Sequence, residues 1–256
     1  MNRLKVMDTP GSVPVERWTI HPAGDSCLVL TFGQVLDVDT NRRVAHYARQ
    51  LNEAVLEGEL HGVSDIVPAM VSIGVHYRPE QVACTEGQYP YEAFCEQLDA
   101  VLRRAGSSSA AAPRVIDVPV CYGGEYGPDL DAVADALKLT PESLIELHGG
   151  QMLDVLMVGF APGHPYIGVL DPRLNPPRRA TPRTHVAAGS IGLANRQSVI
   201  YPLELPGGWN LIGRTPLTVF DAYRTQPCLM QSGDKIRFVA ITPAVFESMR
   251  EEGRPA

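Results

Sequence analysis

With 256 residues, 45% hydrophobic and 20% charged, the chain has material for one large or two modest domains with real cores. A net charge of −7 argues against a general nucleic-acid binder, which needs a basic face. No apolar run reaches the roughly 18 residues of a membrane span, MNRLKVMDTPGS carries no apolar signal core, and five widely spaced cysteines (Cys27, Cys84, Cys95, Cys121, Cys228) without a CxxC pair read as free thiols, so a cytoplasmic protein is expected.

In chain order, residues 17–33 read as two short strands turned at Pro22-Ala23-Gly24, with Leu28, Leu30 and Phe32 alternating against Cys27, Val29 and Thr31. Asp39–Glu57 reads as a helix on the stripe Val44, Ala48, Leu51, Val55, started by Thr40 or Asn41. Val63–Tyr77 is one or two strands broken near Pro68, and Tyr91, Phe94, Leu98 and Val101 mark a second helix ending at Gly106. That order suits an α+β domain over 1–105, followed by the linker GSSSAAAP at 106–113.

A second domain is expected over 114–245, with a frayed tail at 246–256. Arg114–Cys121 alternates as a strand, and Asp129 starts a helix bearing Leu130, Val133, Ala134 and Leu137. Thr140-Pro141-Glu142 starts another, which stops at Gly149-Gly150 with His148 in its last turn. There the helix dipole would favour the charged imidazole, unless His148 is only a structural cap. Met152–Phe160 is an apolar strand interrupted by Asp154, and Lys235–Ile241 is a final strand after the turn Ser232-Gly233-Asp234.

Between them, Gly159–Asp221 holds nine of the 22 prolines and eight of the 23 glycines, which deny it long helices. Interleaved large apolar residues argue for order, so several short strands closing as a barrel or sandwich are expected. The segment has six arginines against three acids. Arg178, Arg179 and Arg183 stand on a backbone stiffened by Pro176, Pro177 and Pro182, and either clamp a carboxylate or phosphate or pair with the chain's acids. Arg214 could join them across the fold. His164 and Tyr166, in Pro162-Gly163-His164-Pro165-Tyr166, either face a cleft as proton-transfer groups or sit on a surface turn. Trp209 beside Gly207-Gly208 is a ligand wall or a core residue, and Gln197 and Tyr201 share a strand face with Val199.

Familiar machinery is missing. There is no GxxxxGKS/T phosphate loop, no GxGxxG, no HExxH and no local metal motif among the seven histidines. Gly189-Ser190-Ile191-Gly192 lacks the spacing of a nucleophile elbow, and none of the three lysines (Lys5, Lys138, Lys235) sits in a biotin-attachment context.

VCYGGEYGPDL, GFAPGHPYIG, PRRATPRT, AAGSIG and IYPLELPGGWNLIGRTPLTVFD resemble the bacterial allophanate hydrolase subunit 1 / KipI family. Its members include 5-oxoprolinase B subunits, and it is similar to part of the carboxyltransferase region of urea carboxylases. The resemblance covers roughly residues 15–240 and implies an α+β N-terminal domain followed by a mainly-β cyclophilin-like barrel. It further implies a cytoplasmic component, inactive alone, of an ATP-dependent enzyme that opens 5-oxoproline to glutamate. Its partners would be a sister protein of the 5-oxoprolinase C-subunit / allophanate hydrolase subunit 2 type and a 5-oxoprolinase A-subunit, with ATP bound by or shared with them and no metal or biotin on this chain. The alternatives are a component of an allophanate hydrolase or urea carboxylase-type system, or a non-catalytic KipI-like histidine-kinase inhibitor. On this reading His164, Tyr166 and His148 are the catalytic candidates. Arg178, Arg179, Arg183, Arg214, Gln197, Tyr201 and Trp209 would hold a small amide or carboxylate substrate. The sequence departs from the family's usual GFPYLG and IAGGQTGIYP at His164 and Asn195-Arg196, where substrate choice is expected to reside.

Overall fold

The computed structural model describes residues 18–105 and 112–252, so most of the expected linker and the last four residues lie outside it. The first unit is built on β1 (Thr19–Pro22), β2 (Cys27–Thr31), β3 (Val63–Pro68) and β4 (Ser72–Tyr77), an antiparallel sheet in the order β1-β2-β4-β3. Period-2 alternation sends Leu28 and Leu30 inward opposite Val75 and Ile73. Helices α1 (Val38–Leu56) and α2 (Pro90–Ala105) bury Val44, Tyr47, Ala48, Leu51, Phe94, Leu98 and Leu102 in the same core. The start of α1 lies one step earlier than the sequence suggested. Asp37, in extended conformation, accepts the Thr40 N–H at 2.8 Å, so Thr40 is inside the helix and not its cap.

The second unit comprises β5 (Val115–Tyr122), α3 (Leu130–Leu137), α4 (Pro141–Gly149), β6 (Leu153–Val158), β7 (Pro165–Gly168), β8 (Arg183–Val186), β9 (Ser190–Ala194), β10 (Gln197–Ile200), β11 (Leu205–Gly207), β12 (Asn210–Arg214), β13 (Lys235–Ala240) and α5 (Pro243–Glu252). Seven strands close into a barrel in the order β10-β7-β6-β13-β5-β12-β9, while β8 and β11 pair separately as a two-stranded ribbon. The expected fold class, an α+β unit followed by a barrel, describes this arrangement. The units meet where α1 reaches β6. The buried Asn41 amide donates to the Leu156 and Met70 carbonyls at 2.9 and 3.0 Å, and Arg42 binds both oxygens of buried Asp154. No helix among the described residues is long and apolar enough to cross a membrane.

The chain's end differs from the frayed tail expected after residue 245. α5 continues to Glu252 and buries Phe246, whose ring centroid lies 4.7 Å from that of Tyr126, while the Tyr126 hydroxyl donates to Glu247 at 3.0 Å. A single apolar anchor holds an otherwise polar helix, which is a weak sequence signal. Phe246→Ala should therefore lower unfolding free energy by about 3 kcal/mol or more in urea titration, the usual loss for a buried ring. A change under about 0.5 kcal/mol would mean that α5 is not part of the barrel unit.

Candidate functional site

Alternation along the barrel strands separates two apolar layers. Ile167, Ile191, Leu193, Ile200 and Ile212 join the inner core. Their neighbours Tyr166, Ala194, Val199, Tyr201 and Leu211 turn to the other face, where they pack with Trp209 and with Val186 and Leu205 of the β8–β11 ribbon. The ribbon can press this closely because Gly207 carries no side chain; a Cβ there would overlap the Tyr201 hydroxyl. The candidate site lies on this outer layer.

Its frame is Asp129. This residue stands at the start of α3 as expected, yet its carboxylate caps nothing and points to the ribbon. Arg183 donates to both oxygens at 2.8 Å, Arg179 to one at 3.1 Å, and the Leu211 N–H to the other at 2.7 Å. Burial raises the Asp129 carboxyl, but the bonds from Arg183 and Leu211 and the charges of Arg183 and Arg179 outweigh it, and the net displacement is downward. Arg179 and Arg183 are thus committed to the protein itself. The three arginines do not form one clamp.

Arg178 differs. Its guanidinium carbon lies 4.7 Å from the Trp209 ring centroid, a cation–π stack, and no carboxylate pairs with it among the described residues. Trp209 is only 5% exposed and meets Tyr166 edge-on at 6.1 Å, so it serves both as core residue and as floor beneath the cation.

Beside them is His164, fully buried and not on a surface turn. Its ring centroid lies 5.1 Å from Tyr166, 5.3 Å from Tyr201 and 5.3 Å from Phe160. Neither ring nitrogen has a hydrogen-bond partner among the described residues, although an unpaired buried group costs about 1–3 kcal/mol. Burial first, then the charge of Arg178, push the imidazole down to about 4. Burial also raises the Tyr166 and Tyr201 phenols. At neutral pH these groups are uncharged hydrogen-bonding residues, poorly matched to general-base work. Phe160, with φ of 74°, lies against the imidazole while its own side remains 68% exposed. Nothing in the local sequence singles out Phe160 or the pairing of Asp129 with the arginines.

The remaining candidates lie elsewhere. His148 faces the inner core: Tyr122 Oη donates to Nδ1 at 2.7 Å, Nε2 donates to Ser198 Oγ at 3.0 Å, and the Ser198 hydroxyl donates to the Gly192 carbonyl at 3.1 Å. Burial pushes this imidazole to about 3, the reverse of the charged form expected from the dipole of α4. With both nitrogens satisfied it is a structural residue. Arg214 donates to the Ala188 carbonyl at 2.8 Å, and Gln197 touches Met70 at the junction of the two units. Asn195 and Arg196 form the two-residue turn between β9 and β10 with φ of 50° and 60°, the conformation that such hairpins require. The positive φ that Gly-Gly would adopt freely is here adopted by Asn and Arg. A hollow of about 480 Å³ opens between α4 and the Asp171–Arg173 turn, and none of these residues lines it. No group of three or more His, Cys, Asp or Glu side chains among the described residues could hold a metal ion.

The two depressed histidines make a linkage prediction. Unfolded histidine binds its proton near pH 6.5, so between pH 6.5 and 4 the unfolded chain takes up protons that the folded chain refuses, and stability falls as pH falls. Each buried histidine should remove roughly 2 kcal/mol of unfolding free energy between pH 7 and pH 5. In paired urea titrations, His164→Phe should lose about 2 kcal/mol less than wild type across that interval. An identical loss would contradict the neutral, buried imidazole.

Comparison with known proteins agrees with this architecture. Residues 18–230 match the family described as carboxyltransferase domain, subdomain C and D. The 5-oxoprolinase B-subunit of Bacillus subtilis is 35% identical over 239 residues, covering 92% of this chain and 98% of that protein. Among solved structures, TTHA0988 superposes with a TM-score of 0.71 at 32% identity over 85% of this chain, which spans 40% of that longer protein. The urea carboxylase of Kluyveromyces lactis superposes with a TM-score of 0.68 over 97% of this chain and 24% of its own; at 18% identity that likeness bears on fold alone. The chain belongs to the carboxyltransferase domain subdomain C and D family, in the branch that includes the 5-oxoprolinase B-subunits.

Proposed function

We propose that the chain is the B-subunit of an ATP-dependent 5-oxoprolinase, working with sister proteins and inactive without them. The reaction adds water across the lactam C–N bond, leaving an oxygen on carbon and a protonated amine on nitrogen. The observation that carries the reading on this chain is Arg178: a guanidinium held over Trp209 that no described carboxylate pairs, beside an imidazole whose nitrogens have no partner among the described residues. An unpaired cation on an apolar floor suits the carboxylate of a small acid such as 5-oxoproline. Its neighbours Arg179 and Arg183 contribute by fixing the segment and do not bind substrate.

ATP does not fit the residues present. A triphosphate needs several converging donors, whereas two of the three clustered arginines are neutralised by Asp129 and the chain has no phosphate loop. In this reading nucleotide and phosphoryl chemistry belong to the partner proteins. This chain binds the carboxylate and orients the ring.

Co-expression with the A-type and C-type partners tests the proposal. Stable co-purification with 5-oxoproline-dependent ATP turnover is expected. Arg178→Ala should raise KM for 5-oxoproline about tenfold or more, the worth of a charge-assisted hydrogen bond. Full activity without this chain would overturn the proposal, as would biotin-dependent carboxylation or inhibition of a histidine kinase in place of 5-oxoproline turnover.

A further inference from the structure

Asp129, Arg179 and Arg183 satisfy one another, and His148 has Tyr122 and Ser198. His164, on the outer layer, is fully buried with both nitrogens unpaired by any described protein group. A ring needed only for packing in this aromatic layer would be served as well by phenylalanine, without burying two polar atoms.

We infer that His164 is a specificity-determining residue: it hydrogen-bonds the uncharged amide of a small carboxylic acid whose carboxylate rests on Arg178. This deepens the proposed function and rests on it. The ligand group is uncharged because the apolar rings of Phe160, Tyr166 and Tyr201 surround the imidazole, and because Arg178, whose field reaches His164, Tyr166 and Tyr201, already supplies a cation for the acid. A neutral imidazole carries one donor and one acceptor, and no other described residue hydrogen-bonds either nitrogen. An amide offers both an N–H and a C=O and can therefore be read by either. Phe160 meets the imidazole edge-on at 5.3 Å with its own side chain exposed, and its left-handed backbone conformation is costly for a bulky residue.

The test uses the full chain with Trp18→Phe, so that Trp209 reports binding by fluorescence. Two probes share a five-membered ring and a carboxylate: 5-oxoproline has the lactam, cyclopentanecarboxylate does not. The parent protein should bind 5-oxoproline about tenfold more tightly. His164→Phe, which preserves ring volume in an aromatic layer, should bind both acids equally, at the strength of the weaker one. The imidazole nitrogen resonances of His164 should shift with 5-oxoproline and not with cyclopentanecarboxylate. Retention of the full tenfold preference by His164→Phe, or equal binding of the two acids by the parent protein, would overturn the inference while leaving Arg178 as the anion site. Binding of both acids that Arg178→Ala leaves unchanged, or no binding of either, would overturn the anion-site reading and the inference together.

Discussion

One buried carboxylate organises the functional face of this protein. Asp129 sits where α3 begins, and its two oxygens collect the Arg183 fork, Arg179 and the Leu211 N–H. Those partners come from the proline-rich segment, the ribbon and the barrel wall, so a single side chain fastens three parts of the fold. Removing one partner of a buried ion pair typically costs about 3–5 kcal/mol, because the charge left behind has lost its solvent. The same commitment explains why Arg178 is available. With both neighbouring arginines drawn to Asp129, Arg178 is left on the opposite side of a stiff turn, over Trp209.

The barrel wall itself does double duty. Its inner layer is sealed by aliphatic side chains and by the fully satisfied Tyr122–His148–Ser198 chain. Its outer layer is aromatic and carries polar groups that the fold does not use. Glycines permit this: Gly192 leaves room for Trp209 and Val199, and Gly207 leaves room for the Tyr201 hydroxyl. The satisfied network and the candidate site are therefore opposite faces of the same strands.

Much of the fold was readable in the sequence. Apolar stripes located α1, α2 and α3, start and stop residues located α4, and proline and glycine density marked the region of short strands. Features decided by distant partners were not readable. Asp129 meets Arg179 and Arg183 across 50 and 54 residues, and nothing local distinguishes it from an ordinary helix cap. His148 has the sequence context of a dipole-stabilised cation, but burial outweighs the dipole. Asn195-Arg196 stood out as a departure from Gly-Gly, and its positive-φ turn is visible only in the folded chain. His164 was legible as a residue type and not as a state. Only its surroundings show that it is buried, neutral and unpaired.

Asp129 holds the arginine-bearing segment against the barrel. Amide hydrogen exchange on Asp129→Ala tests it directly at the Arg179 N–H, which bonds the Gly208 carbonyl at 2.8 Å. Protection there should fall at least about a hundredfold, in line with losing a buried ion pair, while amides of β6 and β13 on the far side of the barrel keep theirs. Unchanged protection at Arg179 would contradict the account.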